Sequence, residues 1–180
     1  MNKIVKLALV LFLICAITAG ILGAVNELTK DRIAEINRQK TETAYSLVLK
    51  SSGYEEVYFN GADYPTIDKI SKCSGGEGYV VETTFSGAQG MITMAVGVDN
   101  DLKCTGISII KHSETSGLGA NAASTAEVGE NFRAQFVGQG ADMALKKAGG
   151  EIDALTGATI TSRTVTAAAA TAIDAVSGLN

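Results

Sequence analysis

The chain has 180 residues, 46% of them apolar and 19% charged, with a net charge of −4. That is enough for one folded domain plus an appendage, and it is not the composition of a disordered segment. The acidic balance, together with the lack of a Lys/Arg cluster, of an RRM-like aromatic pair and of zinc-type spacing, argues against nucleic-acid binding.

Residues 7–25, LALVLFLICAITAGILGAV, carry no charge; Lys3 and Lys6 precede them and Glu27 follows. About 20 apolar residues cross the hydrocarbon core as a helix, whereas the apolar part of a cleavable signal peptide runs to roughly 7–15. A membrane anchor is therefore predicted over 1–26. The LFLI before Cys15 lacks the small residue that lipoprotein processing needs. Lys3, Lys6 and the free amine lie before the span, while Lys30 and Arg32 after it are interleaved with Glu27 and Asp31. This bias places the N-terminus in the cytoplasm and the rest of the chain outside the cell membrane. Gly20 and Gly23, with Ala16, Ala19 and Ala24, give the span a small-residue face suited to close helix packing.

Leu28, Ile33, Ile36, Ala44, Leu47 and Val48 fall at helical spacing, so 27–50 is predicted to be a helical stalk that docks on a domain over 51–180. Residues 51–77 are mixed, with turn signals at Asn60-Gly61 and Ser74-Gly75-Gly76. Three strand-like runs follow at 79–85, 91–98 and 104–110, joined by SGAQG and DND turns. Phe132 and Phe136 mark a short helix over 125–137. A second is expected over 141–148 and a final one over 162–176. The fold class is α+β: an antiparallel sheet with packed helices behind a single transmembrane helix. Cys15, Cys73 and Cys104 show no metal spacing and are expected as buried small hydrophobes. A Cys73–Cys104 disulfide stays open for an extracytoplasmic domain.

Three stretches carry candidate chemistry. GLGANA (117–122) fits the dinucleotide fingerprint, but Lys111–Ser116 separate it from the preceding strand and the strands read antiparallel. A Gly-rich loop passing close to a flat ligand is the better expectation. His112, the only histidine, has no G-x-S-x-G elbow or triad to serve and is expected in a loop. The third stretch gathers Thr156, Thr159, Thr161, Ser162 and Thr164 around a Gly-Ala pair, directly before an Ala-rich run. A helix cap needs one hydroxyl, Thr161 or Ser162. Thr156 and Thr159 are then left over, and a helix start rich in hydroxyls is a natural phosphate seat. A threonine there could also carry the phosphate as an ester.

The run from Asp153 to Thr161, DALTGATIT, resembles the flavinylation motif D-x-x-[S/T]-G-A-T-x-[S/T] of the FMN-binding domain in RnfG and NqrC subunits of bacterial respiratory complexes. The resemblance implies FMN linked covalently through its phosphate to Thr159. A flavin transferase that uses FAD would make the bond, recognising Asp153. Thr156, Gly157, Ala158 and Thr161 would hold the phosphate. KHSETSGLGANA (111–122) is similar to the family's H-x-E-T-x-G-L-G loop, which implies Glu114, Thr115, Gly117, Leu118 and Gly119 against the isoalloxazine. Ser116 stands where many relatives have proline.

The compact chain looks more like RnfG than NqrC. That implies an electron-transfer subunit of a ferredoxin:NAD⁺ oxidoreductase complex coupled to Na⁺ or H⁺ translocation, working beside other membrane subunits. No residue of its own is expected as a catalytic acid, base or nucleophile in turnover, and no metal site is expected. The competing readings are an NqrC-like subunit of a Na⁺-pumping NADH:quinone oxidoreductase, a free-standing extracellular flavin carrier, and a module that only binds an anion noncovalently.

Overall fold

The computed structural model describes residues 2–179. Residues 1–40 form one compact unit and residues 41–180 a second. The boundary falls within a single helix, α1 (Lys3–Val48), which is unbroken across the predicted anchor and stalk. The only proline in the chain is Pro65, so nothing in α1 interrupts its hydrogen-bond ladder. Its most apolar stretch reaches a mean hydropathy of 2.7 with none of it buried by protein. Residues 7–25 rise about 28 Å, which matches a hydrocarbon core of about 30 Å. The helix is thus long and apolar enough to cross a membrane.

In the second unit the sheet is a five-stranded antiparallel meander, ordered β1 (Tyr54–Val57), β2 (Ile67–Cys73), β3 (Gly78–Ser86), β4 (Met91–Asp99) and β5 (Cys104–Lys111). The three strands expected from alternation are β3, β4 and β5. The mixed segment 51–77 holds two more, β1 and β2. Alternation is poor there because β1 is a four-residue edge and β2 is bulged between Ile67 and Lys69.

Both faces of the sheet are covered. On one, Ile70, Val81, Met94, Val96 and Ile107 pack under α2 (Glu127–Ala134) and α3 (Thr159–Ser177). The Ala-rich side of α3 contributes Val165, Ala168, Ala169, Ala172, Ile173 and Val176, small enough to let the helix approach closely. Phe132 and Phe136 meet edge to face at 5.3 Å. The helix expected over 141–148 is only a 3₁₀ turn at Lys146–Ala148, preceded by a short parallel bridge of Leu145 to Ile152. Gly138, Gly140, Gly149 and Gly150 flank that segment and disfavour a longer helix.

On the other face, Ala44, Tyr45 and Val48 from the last turns of α1 pack on Cys73, Val80 and Ala95. Tyr45 donates to Glu82 Oε2 at 3.0 Å, and Thr105 Oγ1 donates to the Val48 carbonyl at 2.6 Å. Gly97 makes this contact possible, since a Cβ there would lie 2.6 Å from Val48 O. Burial, then the nearby Glu82 carboxylate, push the Tyr45 phenol well above its ordinary range, so it stays a neutral donor.

Cys73 and Cys104 are buried free thiols. They sit in different core clusters, on β2 and β5, with two strands between them. At about 4.8 Å per strand that separation is roughly 14 Å, twice what a disulfide spans. The fold thus rules out a bond between them. Burial pushes Cys104 up to about 11 and also raises Cys73. Maleimide labelling is expected to leave both untouched in the folded protein and to reach both after denaturation without reductant. A pair unreactive in denaturant until reduced would contradict this.

Candidate functional site

The site is built where three segments far apart in sequence converge. The β3–β4 turn contributes Ala88 and Gln89. The segment after β5 contributes Glu114 to Gly119, leading into a 3₁₀ turn at Gly119–Ala123. The third element is the start of α3, which begins at Thr159, three residues earlier than expected from sequence.

Glu114 joins them. It is only 8% exposed. Its Oε1 accepts from the N–H groups of Ala88 (2.9 Å) and Gln89 (3.0 Å), and its Oε2 accepts from the Thr161 hydroxyl at 2.5 Å. Burial alone would raise this carboxyl. The Gln89 N–H, the Thr161 hydroxyl, the Ala88 N–H and the nearby His112 outweigh it and hold the group below the usual carboxylate range. Glu114 is thus an ionised clasp, with both oxygens engaged by protein. Gly119 makes room for it: a Cβ there would fall inside the Glu114 carboxylate and 2.6 Å from Thr161 Oγ1.

Gly119→Ala is accordingly expected to break the clasp. We expect a loss of about 2 kcal/mol or more, the cost of unpairing buried polar groups, read as an earlier thermal transition. An unshifted transition would show that the loop relaxes freely.

The hydroxyls at the start of α3 divide into two sets. The N-cap is Ala158, with no side-chain cap, so neither Thr161 nor Ser162 caps the helix. Thr161 is committed to Glu114. Ser162 Oγ donates to the Ala158 carbonyl and accepts from the Leu155 N–H, both at 2.9 Å. Thr164 and Thr166 bond back to carbonyls one turn earlier. Thr156 and Thr159 are exposed, and among the described residues their hydroxyls have no partner. Of these two, only Thr159 lines the cleft.

That cleft has a volume of about 310 Å³ and brings the two sequence motifs together: Glu114, Thr115, Leu118 and Gly119 on one wall, Gly157, Ala158, Thr159 and Thr161 on the other, with Ala88 and Gln89 at the edge. The volume lies in the range of small-molecule sites. Gly157 adopts φ +72°, and a Cβ there would sit 2.9 Å from Leu118 Cδ2, so glycine lets the two walls meet. The first-turn N–H groups of α3 have no intrahelical acceptor, which favours an anion beside them. A flat ligand with an anionic tail, such as FMN, fits this donor set. Ala88, Gln89 and Ile160 also line the cleft without being expected from sequence; the glycines flanking Ala88-Gln89 in SGAQG are the available signal.

Three expected residues lie elsewhere. Gly117 shapes the loop at φ +77° but does not line the cleft. Thr156 and Asp153 line a neighbouring groove shared with Phe132 and Gln135 of the α2 region. Asp153 is presented at the surface. Its N–H donates to Gln135 Oε1 at 2.7 Å, and its carboxylate pairs with Lys146 at 2.5 Å. His112 is half-buried, with Nδ1 shielded and unpartnered.

A sheet-and-helix domain with such a cleft, preceded by an apolar helix, belongs to the class of FMN-binding domains, whose family model matches residues 87–178. A second model, described as the RnfG N-terminal region, matches residues 1–48. The G subunit of the ion-translocating oxidoreductase complex of Methanosarcina acetivorans is 34% identical, covering 98% of this chain and 96% of that protein. The G subunit of the Na(+)-translocating ferredoxin:NAD(+) oxidoreductase complex of Acetobacterium woodii is 36% identical over 89% and 86% of the two chains. Its proton-translocating counterpart in Clostridium ljungdahlii is 34% identical over 97% and 92%. The chain belongs to the RnfG family.

Proposed function

We propose that this protein is the flavin-carrying, electron-transfer subunit of an Rnf-type membrane complex, with FMN linked through its phosphate to Thr159. One observation carries the attachment: in a segment of many hydroxyls, Thr159 alone is both unbonded and on the cleft wall. In attachment, Thr159 Oγ forms a bond to the flavin-side phosphorus of FAD. The bond from that phosphorus to the bridging oxygen breaks, AMP leaves with that oxygen, and the threonine proton passes to solvent. Asp153, held at the surface by Gln135 and Lys146, is positioned for the transferase to read.

Once bound, FMN supplies the one- and two-electron chemistry. The protein's residues hold and orient it. Leu118 and Gly119 offer a close apolar wall, Glu114 fixes that wall to α3, and Thr161 reaches the cleft only through its oxygen, since its proton is spent on Glu114. The helix of residues 7–25 anchors the subunit in the cell membrane with its N-terminus in the cytoplasm, and its partners are the other membrane subunits. The complex would couple ferredoxin:NAD⁺ oxidoreduction to Na⁺ or H⁺ translocation, as the names of the relatives describe for their own complexes.

The test is purification from membranes under mild detergent. Copurification with several membrane subunits, and an intact mass raised by one FMN, is the expected result. A colourless, solitary protein made alongside a flavin transferase would overturn the proposal.

A further inference from the structure

Thr159 borders two clefts of opposite electrical character, and a third beside them that it shares with Lys147 and the Lys146–Asp153 pair. The glycine-walled cleft holds the Glu114 carboxylate and no cation. On its other side Thr159 lines a cleft of about 420 Å³ with Met143, Leu145, Lys147, Arg163 and Ala167. Arg163 follows Thr159 by four residues on α3, so both lie on one helix face, and helical side chains lean toward the N-terminus. Lys147 comes from the 3₁₀ turn facing that start. Among the described residues neither cation has an ion pair or hydrogen bond, whereas the adjacent Lys146 is taken by Asp153. Two unpaired cations thus meet at the free hydroxyl of Thr159, in a chain whose net charge is −4.

We propose that Lys147 and Arg163 form the seat for the phosphate that links the flavin to Thr159. This rests on the attachment reading above and deepens it. A phosphodiester keeps one negative charge. On the Glu114 side it would face a fixed carboxylate. On the Lys147–Arg163 side it meets a guanidinium suited to bidentate contact and an ammonium, over an apolar floor that strengthens both. Charge therefore sorts the two halves of the linked cofactor: phosphate toward the cations, ring toward the glycines. Covalent attachment prevents loss, and this seat restricts the swing of the tether.

The experiment uses full-length protein in detergent, loaded by a flavin transferase and checked by intact mass. The phosphorus-31 resonance of the linkage is then compared in wild type, K147Q/R163Q, R163Q and the conservative K147R/R163K. Wild type and K147R/R163K are expected to show a resonance displaced from its position in the urea-unfolded chain. K147Q/R163Q is expected at the unfolded position, with R163Q in between. About 1 M NaCl, where the screening length is about 3 Å, should move wild type toward K147Q/R163Q. Both side chains are exposed, so thermal transitions should coincide, and R163Q alone keeps the test decisive where the double variant fails to fold. FMN on Thr159 with the same resonance in wild type and R163Q overturns this inference and leaves the attachment standing. No FMN on Thr159 overturns both.

Discussion

Thr159→Ala is expected to abolish covalent flavin altogether, with no mass increment and no fluorescent band in a denaturing gel, even with transferase and FAD in excess. Thr156→Ala, on the far side of the Gly157-Ala158 pair, should be loaded like wild type. The contrast isolates chemistry from structure. Both hydroxyls are exposed and unbonded, so removing either leaves no buried group unpaired. Thr159 is also the first residue of α3, where alanine is tolerated. Stability should stay within about 0.5 kcal/mol for both variants, as for surface substitutions generally. Thr159→Ser keeps a nucleophile and should be loaded, more slowly. Loading of Thr159→Ala would send the search to another hydroxyl and sink the assignment.

Glu114→Ala should carry the largest stability cost of any single change at the site. It removes the acceptor of two backbone N–H groups and one hydroxyl at once. Charge-assisted hydrogen bonds contribute about 1.5–3 kcal/mol each, but water re-solvates Ala88 and Gln89 on their exposed turn, so roughly 3 kcal/mol in all is expected. For a domain of this size that is a drop of roughly 8 °C in Tm. The same carboxylate sets an acid dependence. Its folded pKa lies below its unfolded value, so its contribution is fully present above the unfolded pKa and is lost as pH falls through the folded one. Wild type should therefore lose stability below about pH 4, and Glu114→Gln should show a shallower slope there. Equal slopes in the two proteins would show that Glu114 is not the clasp.

Much of this is legible in the sequence, for identifiable reasons. β3, β4 and β5 can be placed to within one or two residues because they are β-branched runs between short turns. β2 escapes such a reading because Asp68, Lys69, Ser71 and Lys72 blur its alternation and a bulge shifts its phase. The start of α3 is misplaced when its hydroxyls are taken as caps. The structure caps with Ala158 and spends Thr161 and Ser162 on long-range and backbone bonds instead. The candidate attachment threonine is legible through the local Gly-Ala-Thr pattern. The role of Glu114 as a clasp is not, because its partners Ala88 and Gln89 lie 26 and 25 residues away. Lys147 and Arg163 carry no local pattern at all; only the fold brings them to one cleft.

The meander order of the sheet sets a sequence of events. Each strand pairs with its neighbour in the chain, so the sheet closes only short loops as it assembles. The Glu114–Thr161 clasp closes a loop of 47 residues and needs α3 already laid on the sheet. That pairing is therefore expected to open more readily than the strand ladder. Such local opening would part the start of α3 from its loop while the strands stay paired, widening the cleft around the already exposed Thr159. The hydrogen-exchange signature of that motion is faster exchange at Ala88 and Gln89 than in the β3–β4 ladder beside them.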